Sequence, residues 1–221
     1  MNTMKLRLTI IALICLCSAS CVVRDRYEAA PNNNYYHGNN NYYSNSFDEE
    51  FNGSDLYGWT FVDAADSANG SIANGYYQYV DFSTTASSMI VVGTGIGVQG
   101  NFTATTRIKS NKIMGLIFGA SSSDNGYAFY VDTAGNYSLY REGYGSTAST
   151  VIIPSTQDTL YALKNNWNIV QVQQANGTWT GYINGTQVFS MAASTLAGNG
   201  FGFKVLPGTT GFADYLQVQN N

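Results

Sequence analysis

The residue types able to do chemistry in this chain are few, and their positions exclude several mechanisms. The only histidine is His37, and the three cysteines, Cys15, Cys17 and Cys21, all lie in the first 21 residues. Nucleophilic catalysis of the Ser-His or Cys-His kind is therefore excluded for residues 47–221. A zinc site is disfavoured there for the same reason. Glycoside hydrolysis needs only two carboxylates, so it survives this inventory.

A second group of residues fits ligand binding better than catalysis. Tyr130 alternates with Phe129 and Val131, and Tyr140 follows Leu139, so each tyrosine faces away from the apolar side of its run. Aromatic faces beside hydrogen-bonding groups suit a shallow sugar site. The alternative is that these tyrosines only form sheet surface, because tyrosine is a good strand former. The candidate ligand-binding residues are Asp124, Asn125, Tyr130, Tyr140, Arg141 and Tyr144.

Short alternating runs separated by turn residues would position these side chains. The clearest stretch holds three runs joined by Asn176-Gly177 and Asn184-Gly185, the dipeptides that favour type I′ hairpins. More than a dozen such runs follow one another between 47 and 219, without a capped 3.6-residue repeat. This pattern predicts an all-β domain of two packed antiparallel sheets. Trp167 and Trp179 are expected in its core.

Composition and charge narrow the choice of partners. Charged residues make up only 11% of the 221 residues, with 23 glycines and 17 tyrosines, which is typical of short strands and many turns. The net charge is −4, and loss of Lys5 and Arg7 with a leader would lower it to −6. Such a surface repels phosphate backbones, so nucleic acid is not expected as a partner.

The first 20 residues have the pattern of an export leader. Lys5 and Arg7 precede an apolar run, Leu8 to Leu16, which is too short for a bilayer that needs roughly 20 residues. The run ends in Ser18-Ala19-Ser20-Cys21, which resembles the bacterial lipobox and implies acylation of Cys21. Ser18 departs from that motif, which usually has leucine there. The alternative is ordinary leader cleavage after Ser20.

Residues 21–46 are predicted to be a flexible tether. A seven-residue pattern of three asparagines and two tyrosines begins at Asn32 and repeats at Asn39. It offers no aliphatic side chain for burial, so it cannot offset the entropy of ordering. Self-association through the tyrosines is the alternative to a simple spacer.

Several segments of residues 47–221 carry a resemblance to a known superfamily. They are Met114-Gly115-Leu116-Ile117-Phe118, Asn125-Gly126-Tyr127-Ala128-Phe129, Tyr182-Ile183-Asn184-Gly185 and Ala213-Asp214-Tyr215-Leu216. In this order they resemble the concanavalin A-like (laminin G-like) jelly-roll superfamily, particularly bacterial modules related to 3-keto-disaccharide hydrolases. The resemblance implies a jelly-roll sandwich, a fold that hosts lectins, glucanases and adhesion modules alike.

The resemblance supplies no catalytic residue. The jelly-roll glucanases carry Glu-x-Asp-x-x-Glu on one strand, which sets the acids on one face. The glutamates of this chain are Glu28, Glu49, Glu50 and Glu142, and none has aspartate two residues later. No catalytic residue is therefore assigned.

The resemblance also implies a metal site at the chain ends. Glu49 is expected on the face of Phe47, and Asp214 on the face of Phe212 and Leu216. In jelly rolls of this superfamily the first and last strands lie side by side, so the two inward carboxylates would meet and hold a structural calcium. The alternative is that each carboxylate accepts backbone N–H bonds at the rim of the sandwich.

These features together predict a lipid-anchored bacterial envelope protein. Its non-catalytic β-sandwich would bind a glycan or another envelope component, and Val22 after Cys21 favours the outer membrane over the inner one. One alternative is a structural or adhesive module that contacts another protein. The other is a sugar-processing hydrolase of the 3-keto-disaccharide type.

Overall fold

The computed structural model describes residues 45–63, 68–85, 87–121, 126–143, 148–157, 162 and 165–221. All regular secondary structure in these ranges is β-strand. The strands are β1 (Ser46–Glu49), β2 (Phe61–Asp63), β3 (Ala68–Ala73), β4 (Tyr76–Asp81), β5 (Ser88–Gly93), β6 (Phe102–Ser110), β7 (Ile113–Ala120), β8 (Tyr127–Asp132), β9 (Asn136–Arg141), β10 (Thr150–Gln157), β11 (Asn168–Ala175), β12 (Thr178–Ile183), β13 (Thr186–Ala192), β14 (Gly200–Val205) and β15 (Thr210–Asn220). The described residues include no helix that could span a membrane. The predicted leader and most of the predicted tether lie outside them.

The strands form two antiparallel sheets that pack as a sandwich, which confirms the predicted fold class. The nine-stranded sheet has the order β13-β12-β11-β6-β15-β4-β3-β2, with β1 also paired to β15. The six-stranded sheet has the order β10-β9-β8-β7-β14-β5. The first and last strands are neighbours, with Phe47 opposite Val218.

Asn-Gly turns set the register of the strands at one end of the nine-stranded sheet. Asn176 and Gly177 have φ values of 51° and 73°, and Asn184 and Gly185 have 51° and 82°. Positive φ at both central residues is the requirement of the type I′ turn. Both predicted hairpins are therefore present, β11–β12 and β12–β13.

Aromatic rings fill much of the core between the sheets. Strand β12 alternates buried and half-buried residues, and its Trp179 is fully buried. The Tyr127 ring from the opposite sheet lies 4.5 Å from the Trp179 ring at 70°, an edge-to-face arrangement. The prediction for Trp179 is thus confirmed. The prediction for Trp167 is wrong, because this residue precedes β11 and is only half-buried, stacked on the exposed Tyr76.

Candidate functional site

A cavity of about 230 Å³ opens on the outer face of the six-stranded sheet, away from the main core. Its lining includes Tyr130 of β8, Tyr140 of β9 and Lys204 of β14, together with Glu142 just beyond β9. Alternation explains why they meet, since Phe129, Leu139 and Phe203 point into the core from the same strands. This outer face is therefore the candidate site.

A glycine in β7, between β14 and β8, makes room for the side chains of the site. Lys204, Gly115 and Tyr130 lie side by side across β14, β7 and β8. A Cβ atom on Gly115 would lie 2.7 Å from Cδ1 of Tyr130. Only glycine, which has no side chain, leaves room for the tyrosine ring above β7.

A buried ion pair forms one wall of the cavity. Lys204 Nζ lies 2.5 Å from Oε2 of Glu142, and the two side chains are only 4% and 3% exposed. The Tyr130 hydroxyl donates to Glu142 Oε1 at 2.8 Å, and Ser149 Oγ donates to Oε2 at 2.7 Å. A buried ion pair is tolerated when additional hydrogen bonds satisfy its atoms. The carboxylate meets this condition, since it accepts three donors.

The ammonium group of Lys204 is less completely bonded. An ammonium group has three N–H donors, and within the described part of the chain Glu142 accepts the only hydrogen bond from Lys204. Two donors therefore remain available at the cavity wall. An oxygen atom of a ligand or of water would accept a hydrogen bond from either of them.

Tyr130, Tyr140, Ile113 and Leu206 form the apolar part of the wall. The Tyr130 and Tyr140 rings lie 5.7 Å apart at 83°, and Tyr140 is half-buried. Both rings pack against a hydrophobic cluster on this face that is separate from the main core. Its buried members besides Tyr130 are Met89, Val91, Ile117, Ala120 and Ala128. The site therefore combines an apolar surface with a few directed polar groups, the usual composition of a small-molecule site.

Asp132 also lines the cavity, but its carboxylate serves the β8–β9 turn. Oδ1 accepts the backbone N–H groups of Ala134 and Asn136, both at 2.8 Å, and Oδ2 accepts Nδ2 of Asn136 at 2.6 Å. An aspartate that bonds the backbone of its own turn in this way holds the turn in shape. This residue therefore positions one rim of the site.

The structure brings together only some of the residues proposed from the sequence. Tyr130 and Tyr140 both line the cavity, whereas Arg141 is exposed and is not part of its lining. Asp124, Asn125 and Tyr144 lie outside the described residues. The ligand-binding role of all six stays a prediction.

Sequence reasoning missed the buried ion pair of the site. Glu142 follows Tyr140 by two residues, so it continues the same face of β9. Lys204 alternates with Phe203 and Val205, which marks it as facing away from the core. The signal for each was present, but their pairing depends on the strand order.

Glu49 and Asp214, the two calcium ligands expected from the sequence, are bonded to different groups in the structure. Glu49 faces inward with Phe47 as predicted, and it accepts the N–H of Phe51 at 2.9 Å and Nε1–H of Trp59 at 3.1 Å. Burial raises the pKa of the Glu49 carboxyl above its ordinary value, while these two hydrogen bonds oppose the rise. Glu49 therefore fits the alternative stated above, in which the carboxylate accepts a hydrogen bond from a backbone N–H group.

The predicted position of Asp214 is wrong. A register shift between Ala213 and Leu216 places a β-bulge in β15, which puts Asp214 on the outer face with Phe212 instead of the inner face with Leu216. Asp214 Oδ2 lies 2.7 Å from Nη1 of Arg107. The two carboxylates thus do not fit a shared calcium, and no cluster of three metal-ligating residues occurs among the residues that the structure describes. The geometry therefore gives no support to the calcium site expected from the sequence, which a melting experiment with calcium would test.

Comparisons with known proteins identify similar folds only. No family model and no curated sequence matches the chain. The CBM2 module of the evolved Dit of Lactobacillus casei BL23 phage J-1 has a TM-score of 0.52 at 9% identity, covering 79% of this chain and 95% of that one. The Bacillus licheniformis beta-glucanase has 0.51 at 8% identity, covering 80% and 99%. A native glycosidic hydrolase has 0.50 at 8% identity, covering 80% and 96%. At these identities the likeness concerns the fold, and the described chain is a jelly-roll sandwich of the same architecture as these structures.

Proposed function

We propose that this domain binds a carbohydrate in the cavity formed by Tyr130, Tyr140, Glu142 and Lys204. The observation that carries the proposal is the Lys204 ammonium group, which has two open N–H donors at the wall of a cavity that also contains aromatic rings. A sugar ring offers the complementary groups, hydroxyl oxygens on its edge and apolar C–H groups on its face. The volume of about 230 Å³ is below the roughly 300–1,000 Å³ of drug-sized sites, so we assign it one sugar unit.

The charges of the site favour a neutral sugar. Glu142 compensates the charge of Lys204 at 2.5 Å, and Asp132 adds a second carboxylate to the lining. An acidic sugar would meet one cation and two carboxylates. A hydroxyl group can accept from Lys204 without that repulsion.

The hydrogen bonds of the carboxylates favour binding over hydrolysis. A glycosidase uses one carboxylic acid to protonate the leaving oxygen and a second carboxylate as nucleophile or base. Glu142 already accepts from Lys204, Tyr130 and Ser149, and Asp132 accepts three bonds within its own turn. Both carboxylates therefore support the site in this proposal, and neither is assigned a catalytic role.

Anchoring to the cell envelope is a separate part of the proposal. The lipobox-like sequence ending in Cys21 supports acylation, and residues 22–46 would separate the lipid from the domain. Several acyl chains, each methylene contributing about 0.8 kcal/mol, would hold the protein stably on a membrane. Incorporation of labelled palmitate that disappears in Cys21→Ala tests this part, and label that persists would contradict it.

A glycan array probed with the full chain tests the binding function. We expect a neutral glycan to bind the wild type and to bind the Tyr140→Ala variant at least tenfold more weakly, because the ring forms part of the cavity wall. Arg141→Ala is the matched control, since Arg141 is the next residue but lies outside the lining. Absence of any glycan ligand, or a loss in Arg141→Ala with none in Tyr140→Ala, would refute the proposal.

A further inference from the structure

The outer face of the nine-stranded sheet carries a regular array of polar side chains, which we call the polar ladder. Its first row crosses β15, β6, β11 and β12 as Gln219, Thr103, Gln173 and Thr180. Its second row crosses the same strands as Gln217, Thr105, Gln171 and Tyr182. The residues that alternate with them, such as Ala104, Val172 and Trp179, are buried in the core.

Most of these side chains have open hydrogen-bonding groups. Gln217 donates to Glu50 at 3.3 Å, and Thr103 accepts from Asn221 at 2.7 Å. The other six ladder side chains make no hydrogen bond within the part of the chain that the structure describes. Hydroxyl and amide groups both donate and accept, so the ladder offers both functions at nearly every position.

The ladder is uncharged although the domain is acidic. Residues 47–221 contain 12 acidic and six basic residues, a net charge of −6, and none of these lies in the eight ladder positions. Two carboxylates flank the β15 end of the ladder, since Glu50 accepts from Gln217 and Asp48 lines the trough described below, and they would repel an anionic partner but not a neutral one. The ladder matches a partner that is itself uncharged and rich in hydroxyl groups.

A trough deepens one end of the ladder. A depression of about 210 Å³ lies over β1, β15 and β6, lined in part by Asp48, Thr103, Thr105, Gln217 and Gln219. The trough provides a place where a chain of sugar units can lie against the sheet.

From these observations we propose that the polar ladder is a second binding site, for an uncharged linear polysaccharide lying across the strands. Neighbouring strands are about 4.7–4.9 Å apart, which is comparable to the length of one sugar unit in an extended chain. Each strand then meets one unit with a hydroxyl or an amide group. The Tyr182 ring at the β12 end provides an aromatic surface for stacking.

The two sites lie on opposite faces of the sandwich, so this inference does not depend on the cavity. The cavity takes one sugar unit, whereas the ladder takes a segment of polymer. A domain with both sites holds two glycan chains at once.

A pull-down of the full chain with amorphous cellulose, curdlan and chitin tests the ladder, with alginate as the anionic comparison. We expect the wild type to bind at least one of the three neutral polymers, with little dependence on salt because these polymers carry no charge. The double variant Thr105→Glu, Gln171→Glu places two carboxylates in the second row and should bind at least tenfold more weakly. Gln157→Glu makes the same amide-to-carboxylate change at an exposed position in β10 of the six-stranded sheet, and it should bind like the wild type. Melting curves verify that each variant is folded.

The outcomes separate the two sites. Polymer binding that survives in Tyr140→Ala but falls in the double variant supports the ladder. Equal binding by the double variant and the wild type, loss in Tyr140→Ala alone, or no binding to any neutral polymer would overturn it. Stronger retention on alginate than on the neutral polymers would overturn the assignment of an uncharged ligand.

Discussion

Replacing Lys204 with methionine leaves the Glu142 carboxylate buried without its cation. The two side chains are 4% and 3% exposed, and their N–O distance is 2.5 Å. Removing one partner of such a pair typically costs roughly 3–5 kcal/mol, because the remaining charge is uncompensated. We therefore expect the free energy of unfolding of Lys204→Met to fall by about that amount.

The double variant Lys204→Met, Glu142→Gln provides the control. It removes both charges, while the glutamine amide can still accept from Tyr130. The costs of the two single variants should therefore add to more than the cost of the double variant, with a coupling energy of about 1.5–3 kcal/mol. Urea unfolding followed by tryptophan fluorescence gives the free energy of unfolding of the wild type, the two single variants and the double variant. A loss below about 1 kcal/mol in Lys204→Met, which is typical of exposed ion pairs, would refute the buried arrangement.

Three further predictions concern other parts of the molecule. Gly115→Ala should destabilise the domain by about 1–3 kcal/mol and weaken glycan binding, because the new Cβ would lie 2.7 Å from Tyr130; an unchanged melting temperature would contradict this contact. Folding raises the pKa of Glu49 above its ordinary value of 4.5. This shift stabilises the folded protein at pH values below 4.5, and the stabilisation is lost as the pH rises through the folded-state pKa. The wild type should therefore lose stability relative to Glu49→Gln as the pH of urea titrations rises from about 4.5, and a constant difference would exclude this linkage. Calcium and chelator should each leave the melting temperature unchanged, because Glu49 and Asp214 bond Trp59 and Arg107; a clear rise with calcium would instead support the metal site predicted from the sequence.

The sequence predicts those parts of the fold that depend on local chemistry. The Asn-Gly turns at 176–177 and 184–185 specify two hairpins, because they need positive φ at adjacent residues. The same alternation places Phe129 inward and Tyr130 outward on β8. Strand β3 has no local strand signal, because its sequence, Ala-Asn-Gly-Ser-Ile-Ala, contains no alternating apolar run. Its pairing with β2 and β4 determines its conformation.

Features that depend on strand order or on a bulge could not be predicted locally. Glu142 and Lys204 are 62 residues apart, and β8 and β7 separate their strands in the sheet, so neither the local pattern nor direct strand pairing indicates that their side chains meet. A period of two predicts an inward Asp214, but the bulge between Ala213 and Leu216 reverses the phase. An extra residue in one strand has no reliable local signal.

The central claim is that a sugar unit occupies the cavity beside Lys204. A crystal structure of the full chain with the strongest ligand from the glycan array tests it most directly. We predict a sugar oxygen within hydrogen-bond distance of Lys204 Nζ and the sugar ring in contact with Tyr140. A ligand found only elsewhere on the molecule, with the cavity filled by water, would contradict the claim.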